Sequence, residues 1–151
     1  MLFTSGSTML LQRDLVSQMQ WLQELLLWQV QATRASFGAL ADDPYRGLYI
    51  PDAEADLLTM EWPELPPDLV AQRQHLHTAR PHRDISSAQS TAPFIQLQQL
   101  FDLSEFECDV LLLTLAPEID LRFERLYGYI QDDVGKRRPS IDLALRLLCP
   151  D

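Results

Sequence analysis

The chain has 151 residues, 46% of them hydrophobic, which is enough to bury the core of one domain. Its formal net charge is −10, with 10 acids and 5 bases up to Arg80 and 12 acids and 7 bases after it. Neither half is the basic module that phosphate neutralisation demands, so nucleic acid is not the expected principal partner.

The N-terminus MLFTSGSTMLLQRDLV lacks the basic start of a secretory signal, and no apolar run approaches the ~20 residues needed to span a bilayer. A cytoplasmic protein without a membrane segment is expected. Ser7 or Thr8 can cap a helix that continues to about Ser36 without Pro or Gly. Leu11, Leu15, Met19, Leu22, Leu26 and Val30 recur at three- and four-residue steps, and Trp21 and Trp28 lie beside that stripe. A face this wide predicts burial in a core, with a share of the Trp-bearing side left for a second subunit or a partner.

ADDPYRGLYIPDAEADLL follows. Asp42, Asp43 and Pro44 predict a turn, Leu48 to Ile50 an anchoring extended segment, and Pro51 the start of a second helix. Asp52, Glu54 and Asp56 put negative charge at that helix's positive end; their spacing lacks the Gly and terminal Glu of a calcium loop, so a solvated helix start is expected. WPELPP is a stiff connector, and Asp68 to Ala79 a modest helix using Leu69, Val70, Arg73 and Leu76. His75, His77 and His82 have no completing Cys or nearby carboxylate and are expected as exposed polar groups, not zinc ligands. Residues 1–80 thus form an N-terminal helical arm, and the Ser-rich stretch 81–92 reads as a mobile linker.

Residues 93–151 form a compact four-helix module. Thr91 can cap a helix from Pro93 with Phe94, Leu97 and Phe101 on one side. Ser104-Glu105-Phe106-Glu107 is a capping box, and Phe106, Val110, Leu111, Leu113 and Leu115 predict a helix apolar nearly all round. Pro117 is expected to end that helix at Ala116 and begin another, in which Glu118 pairs with Arg122 and Ile119, Phe123, Leu126, Tyr127, Ile130 and Val134 form a stripe ending at Gly135. Lys136, Arg137 and Arg138 make a basic turn, and Ser140 caps a last helix. Cys108 and Cys149, with no ligand spacing, read as reduced core thiols. The predicted fold is all-α: a compact multi-helix bundle, one integrated domain with a long N-terminal helix and a winged-helix-like C-terminal half.

No catalytic motif emerges. Gly135-Lys136 lacks the first Gly and the Ser/Thr of a phosphate loop, and there is no GxSxG or HExxH. Asp132 and Asp133, adjacent on one helix, diverge around its axis and read as a solvated helix end before three bases. No catalytic residue, cofactor or metal site is expected. The candidate contact surface is Trp21, Trp28, Arg122, Arg125, Asp132, Asp133, Lys136, Arg137 and Arg138.

LSEFECDVLLLTLAPEIDLRFERLYGYIQDDVGKRRPSIDLALRLL, with DDPYRGLYIPDAEADLL upstream, resembles the N-terminal region of a family of bacterial and archaeal AAA+ ATPases. That family includes ATPases encoded with contractile injection systems, which are phage-tail-like particles. The match covers about two-fifths of the chain; it departs at Cys108, where the resemblance implies an Arg (FERDVLLL) and an exposed charge contact. The resemblance implies a fragment of a longer ATPase, lacking Walker motifs itself, that positions partners or substrates for a hexameric ring. Its expected partners are proteins, among them the ATPase core of the same protein and further copies in a homo-oligomer. A stand-alone assembly protein binding through the Trp21/Trp28 helix is the alternative, and a winged-helix DNA binder a third reading that the acidity of both halves disfavours.

Overall fold

A computed structural model of the chain describes residues 5–61, 63–83 and 93–149, with side chains from Asp14 onward. Leu11, Trp62, Thr91 and the stretch 84–92 lie outside the described side chains. Seven α-helices and no strand occur among the described residues: α1 (Ser5–Phe37), α2 (Asp52–Thr59), α3 (Pro67–Thr78), α4 (Pro93–Phe101), α5 (Glu105–Ile119), α6 (Arg122–Ile130) and α7 (Ile141–Leu148). The all-α fold expected from the sequence is the observed one.

The broad apolar face of α1 has a simple explanation: it packs against α3, α5, α6 and α7, so one stripe would not suffice. Leu22, Leu25 and Leu26 are fully buried on it. They share one core with Leu112, Leu113 and Ala116 of α5, Phe123 and Tyr127 of α6, and Leu143 and Leu147 of α7. Each such leucine contributes about 1.5–3 kcal/mol of apolar burial. The helix is already formed at Ser5, so Ser7 and Thr8 lie within it and not at its start, their side chains being outside the described ones.

The local helix signals in the C-terminal half are realised. Ser104 accepts from the Glu107 backbone N–H while the Glu107 carboxylate accepts from the Ser104 N–H at 2.8 Å, a complete capping box. Ser140 accepts from Leu143 N at 3.2 Å. Pro117, however, does not end α5, which continues to Ile119 and breaks at Asp120-Leu121. A proline removes the N–H owed to the carbonyl four residues earlier. That carbonyl, Leu113 O, is satisfied instead by the Tyr127 hydroxyl at 2.6 Å, so the helix tolerates the proline. Similarly, α6 stops at Ile130 and not at Gly135; Asp132 adopts a left-handed φ of 52°.

Several expected apolar stripes are rotated relative to the core. On α4 the buried residues are Phe94, Ile95 and Gln98, leaving Leu97 and Phe101 exposed. Leu111 and Leu115 of α5, and Ile119 and Val134 flanking α6, are likewise exposed, as is Val70 of α3. Periodicity finds the apolar residues but not which neighbours arrive to cover them. Cys108 and Cys149 are free thiols, Cys108 in the interior, so an Arg at position 108 would not have made an exposed contact.

The start of the expected linker is pinned. Arg83 Nη2 meets Asp109 Oδ1 at 2.7 Å, with their side chains 1% and 5% exposed. Arg83 also donates to Gln18 Oε1 at 2.9 Å and to Glu105 Oε2 at 2.9 Å. Arg80 contacts Glu105 at 2.6 Å and Asp109 at 2.9 Å. Gln98 Nε2 donates to Glu105 Oε1 at 3.0 Å. This clasp joins α1, residues 80–83, α4 and α5, and its shared hydrogen bonds offset the desolvation of the buried charges.

Candidate functional site

Trp21 and Trp28 do not form a contact surface. They are 4% and 2% exposed. Their indole N–H groups donate into α3, Trp21 to Leu76 O at 2.9 Å and Trp28 to Leu69 O at 2.8 Å. A large aromatic with one polar atom is well placed where a helix backbone supplies the acceptor. Arg73 and Arg80 lie 5.3 Å and 6.0 Å from the Trp28 and Trp21 ring centres.

The remaining candidates fall mainly along two grooves. The larger, about 910 Å³, runs between the end of α1, residues 47–50, α2 and the segment after α6, with Asp132, Asp133 and Lys136 in its lining. Leu48, Tyr49 and Ile50 line it too, and they are exposed, Ile50 by 65%, rather than anchored. The chain comes close enough to make this groove through Gly47. At φ 78° it adopts a backbone closed to most residues, and a Cβ there would sit 3.3 Å from the Asp132 carbonyl carbon.

Asp132 is part of a partly buried ionic cluster rather than a fully solvated helix end. Arg46 Nε lies 2.7 Å from Asp132 Oδ1, and its guanidinium is held between the Phe37 and Tyr129 rings at 4.3 Å and 4.9 Å. Glu54, expected in water at the start of α2, is only 4% exposed. Burial first, then hydrogen bonding to Asp132, raises its pKa above the ordinary carboxyl range, while Arg46 opposes the shift. Glu54 thus holds its proton more tightly than a free carboxyl does, beside Asp132 and the Arg46 guanidinium. The arrangement ties α2 to the end of α6; the Ser36 hydroxyl in the same groove is turned to Ala32 O at 3.0 Å.

The second groove, about 460 Å³, brings Arg122 and Arg125 of α6 together with Gln23, Leu27, Val30 and Arg34 of α1. Arg122 pairs with Asp120 at 2.6 Å rather than with Glu118. Glu118 instead meets Arg138 at 2.8 Å, because the break at Asp120-Leu121 interrupts the helical spacing on which the expected pair relied. Arg138 also lies 3.6 Å from Glu124. Lys136 and Arg137 are exposed. Gln131 braces the basic turn, donating to Arg138 O at 3.0 Å and accepting from Ser140 N at 2.9 Å.

His75 and His82 are exposed, as expected. His77 is half-buried, and burial lowers its pKa. Among the described residues no cluster of three or more His, Cys, Asp or Glu side chains is placed to hold a metal. The residues missed by sequence reasoning are Arg46, Glu54, Leu27 and Arg34. No local pattern signals Arg46, whose partners Asp132 and Tyr129 lie more than eighty positions away in the chain.

Comparison with known proteins gives one family. A family model described as "Winged helix domain, variant" matches residues 15–151. No curated protein and no solved structure matches the chain.

Proposed function

We propose, from the premise that this chain belongs to the variant winged helix domain family, that it is a non-catalytic helical domain mediating protein contacts for an AAA+ ATPase. In that role it would recruit a partner or substrate, or regulate the ring, and contractile injection systems are one setting. The observation that carries this reading is the larger groove. Glu54 and Asp132 of its lining are engaged by the Arg46 guanidinium beside it, while Leu48, Tyr49, Ile50 and Leu58 stand exposed on its lining. Neutralised ions beneath exposed apolar groups suit recognition better than chemistry. The ATPase setting is supported by the resemblance of residues 103–148. The net charge of −10, and the pairing of Arg138 with Glu118, argue against the duplex binding for which winged helices are often used.

The test reads the coding sequence past Asp151 for G-x-x-x-x-G-K-[ST], and purifies the gene product from its native cell with and without this domain. The expected result is a Walker segment, with ATP hydrolysis retained and co-purifying proteins lost on deletion. A stop codon at that point, or an unchanged set of co-purifying proteins, overturns the reading. Salt-sensitive, saturable duplex binding by the chain would replace it with a DNA-binding role.

A further inference from the structure

We infer that the groove between α1 and α6 receives an acidic amphipathic helix of a partner protein. The inference rests on the reading of the chain as a contact domain, and names the chemistry of what one of its surfaces takes.

Gln23, Leu27, Val30 and Arg34 follow one another at steps of four, three and four, so they form one stripe along α1. At the helical rise this stripe is about 16 Å long, three turns. Arg122, Phe123, Arg125, Leu126 and Tyr129 of α6 face it. Phe123 and Val30 make a buried floor, and Leu27, though beside the core, keeps 49% of its surface exposed. A helical ligand with apolar residues at three- and four-residue steps matches a trough of this length.

Charge selects the ligand's sign. The chain has 22 acids and 12 bases, yet the nine lining residues include three arginines and no acid. Arg122 is neutralised by Asp120, leaving two cations for a ligand. Arg34 is held in place, its Nε donating to the Tyr129 hydroxyl at 3.2 Å. Arg125 is exposed and has no hydrogen bond or ion pair among the described residues. Planar guanidiniums at the trough's edges would take carboxylates bidentately. The apolar floor of Leu27, Val30, Phe123 and Leu126 offers nothing to a phosphate backbone, which disfavours nucleic acid as the occupant.

The test uses a fluorescein-labelled synthetic helical peptide of about four turns, with Leu along one stripe and Glu on both flanks, and the same peptide with Lys for Glu. Anisotropy is read against wild-type protein, Arg125→Glu, Leu27→Gln and the double variant Arg34→Glu/Arg125→Glu. The expected result is saturable binding of the Glu peptide that weakens about tenfold or more with Arg125→Glu and with Leu27→Gln. The Lys peptide should bind the double variant better than it binds wild type. Thermal melts check the fold; a variant that melts early is replaced by Arg125→Gln or Leu27→Ser.

Absence of saturable binding overturns the inference, as does equal binding of the two peptides to wild type. A loss with Arg125→Glu but none with Leu27→Gln would reduce the effect to surface charge and overturn the groove. Duplex DNA binding that Arg125→Glu abolishes, or self-association that it abolishes, would assign the surface to nucleic acid or to a second copy. Any of these leaves the Walker segment and the co-purification result untouched, so the two readings fail separately.

Discussion

The Tyr127 hydroxyl donates at 2.6 Å to the carbonyl of Leu113, the acceptor that Pro117 leaves without its helical donor. One helix thus repairs the backbone of another, and α5 runs past its proline to Ile119. Tyr127 is fully buried, and burial raises its pKa, so the phenol remains a donor. Tyr127→Phe should cost about 1–3 kcal/mol in urea unfolding, the cost of a buried acceptor left unpaired. Pro117→Ala restores an N–H to Leu113, so the two substitutions together should cost less than the sum of each alone; strict additivity would show that the hydroxyl does not serve that carbonyl.

Arg83 and Asp109 carry the clasp at the start of the Ser-rich stretch. Arg83→Met leaves Asp109 buried without its closest cation, and should destabilise the chain by about 3–5 kcal/mol. Arg83→Met with Asp109→Leu should recover a large part of that loss. A change of only a few tenths in the single variant would mean that Arg80 alone neutralises both acids.

Glu54 gives the attachment of α2 a pH dependence. Its proton is bound more tightly in the folded state, because burial and then Asp132 raise its pKa. Its contribution is therefore fully present below the ordinary carboxyl range, and stability falls as pH rises through the raised folded value. Protection of α2 amides in hydrogen exchange, corrected for intrinsic rates, should drop across that window. Glu54→Gln keeps the shape and removes the titration, so its protection should stay flat; a wild-type-like drop in the variant would assign the dependence elsewhere.

Trp28 separates burial from contact. Trp28→Ala should lower stability by about 3–5 kcal/mol through the cavity it leaves, and Trp28→Phe by less, through the lost indole hydrogen bond to the Leu69 carbonyl. Light scattering on the Trp28→Phe variant should show the same mass as wild type. A change in oligomeric state without loss of stability would return this tryptophan to a surface role.

The capping residue Ser104 gives the smallest effect. Ser104→Ala should cost about 1 kcal/mol, read as a shift in the urea midpoint with unchanged slope. No shift would mean that backbone and water satisfy the start of α5 without the hydroxyl.

Ser104 and Ser140 were legible from the sequence because a cap and the N–H that donates to it lie within three residues; the same locality made the all-α class and the long α1 readable. Helical spacing also placed Leu22, Leu26 and Tyr127 inside. It did not rank Leu111 against Leu112, since both continue an apolar run and only the approach of α1 and α7 to one side of α5 decides which is covered. Pro117 misled for a related reason: its cost is local, but the donor that offsets it comes from the next helix.

The groove residues were partly legible. Arg122, Arg125, Asp132, Asp133 and Lys136 were singled out as charges without catalytic geometry, and all five line one of the two grooves. Leu27 and Arg34, which complete the smaller groove, lie about ninety residues away in the chain.

What the sequence determined by itself was what neighbouring residues decide between them: where helices begin, which stretches are amphipathic, and that net negative charge pervades both halves. Tertiary structure alone decided the fate of the polar groups. Arg83 and Glu54 read as surface because charged residues usually are, and the Trp21/Trp28 face reads as partly open to a partner; these groups are buried because partners 26 to 78 positions away meet them. A buried charge or N–H is tolerated only where such a partner exists, and no local pattern encodes its arrival.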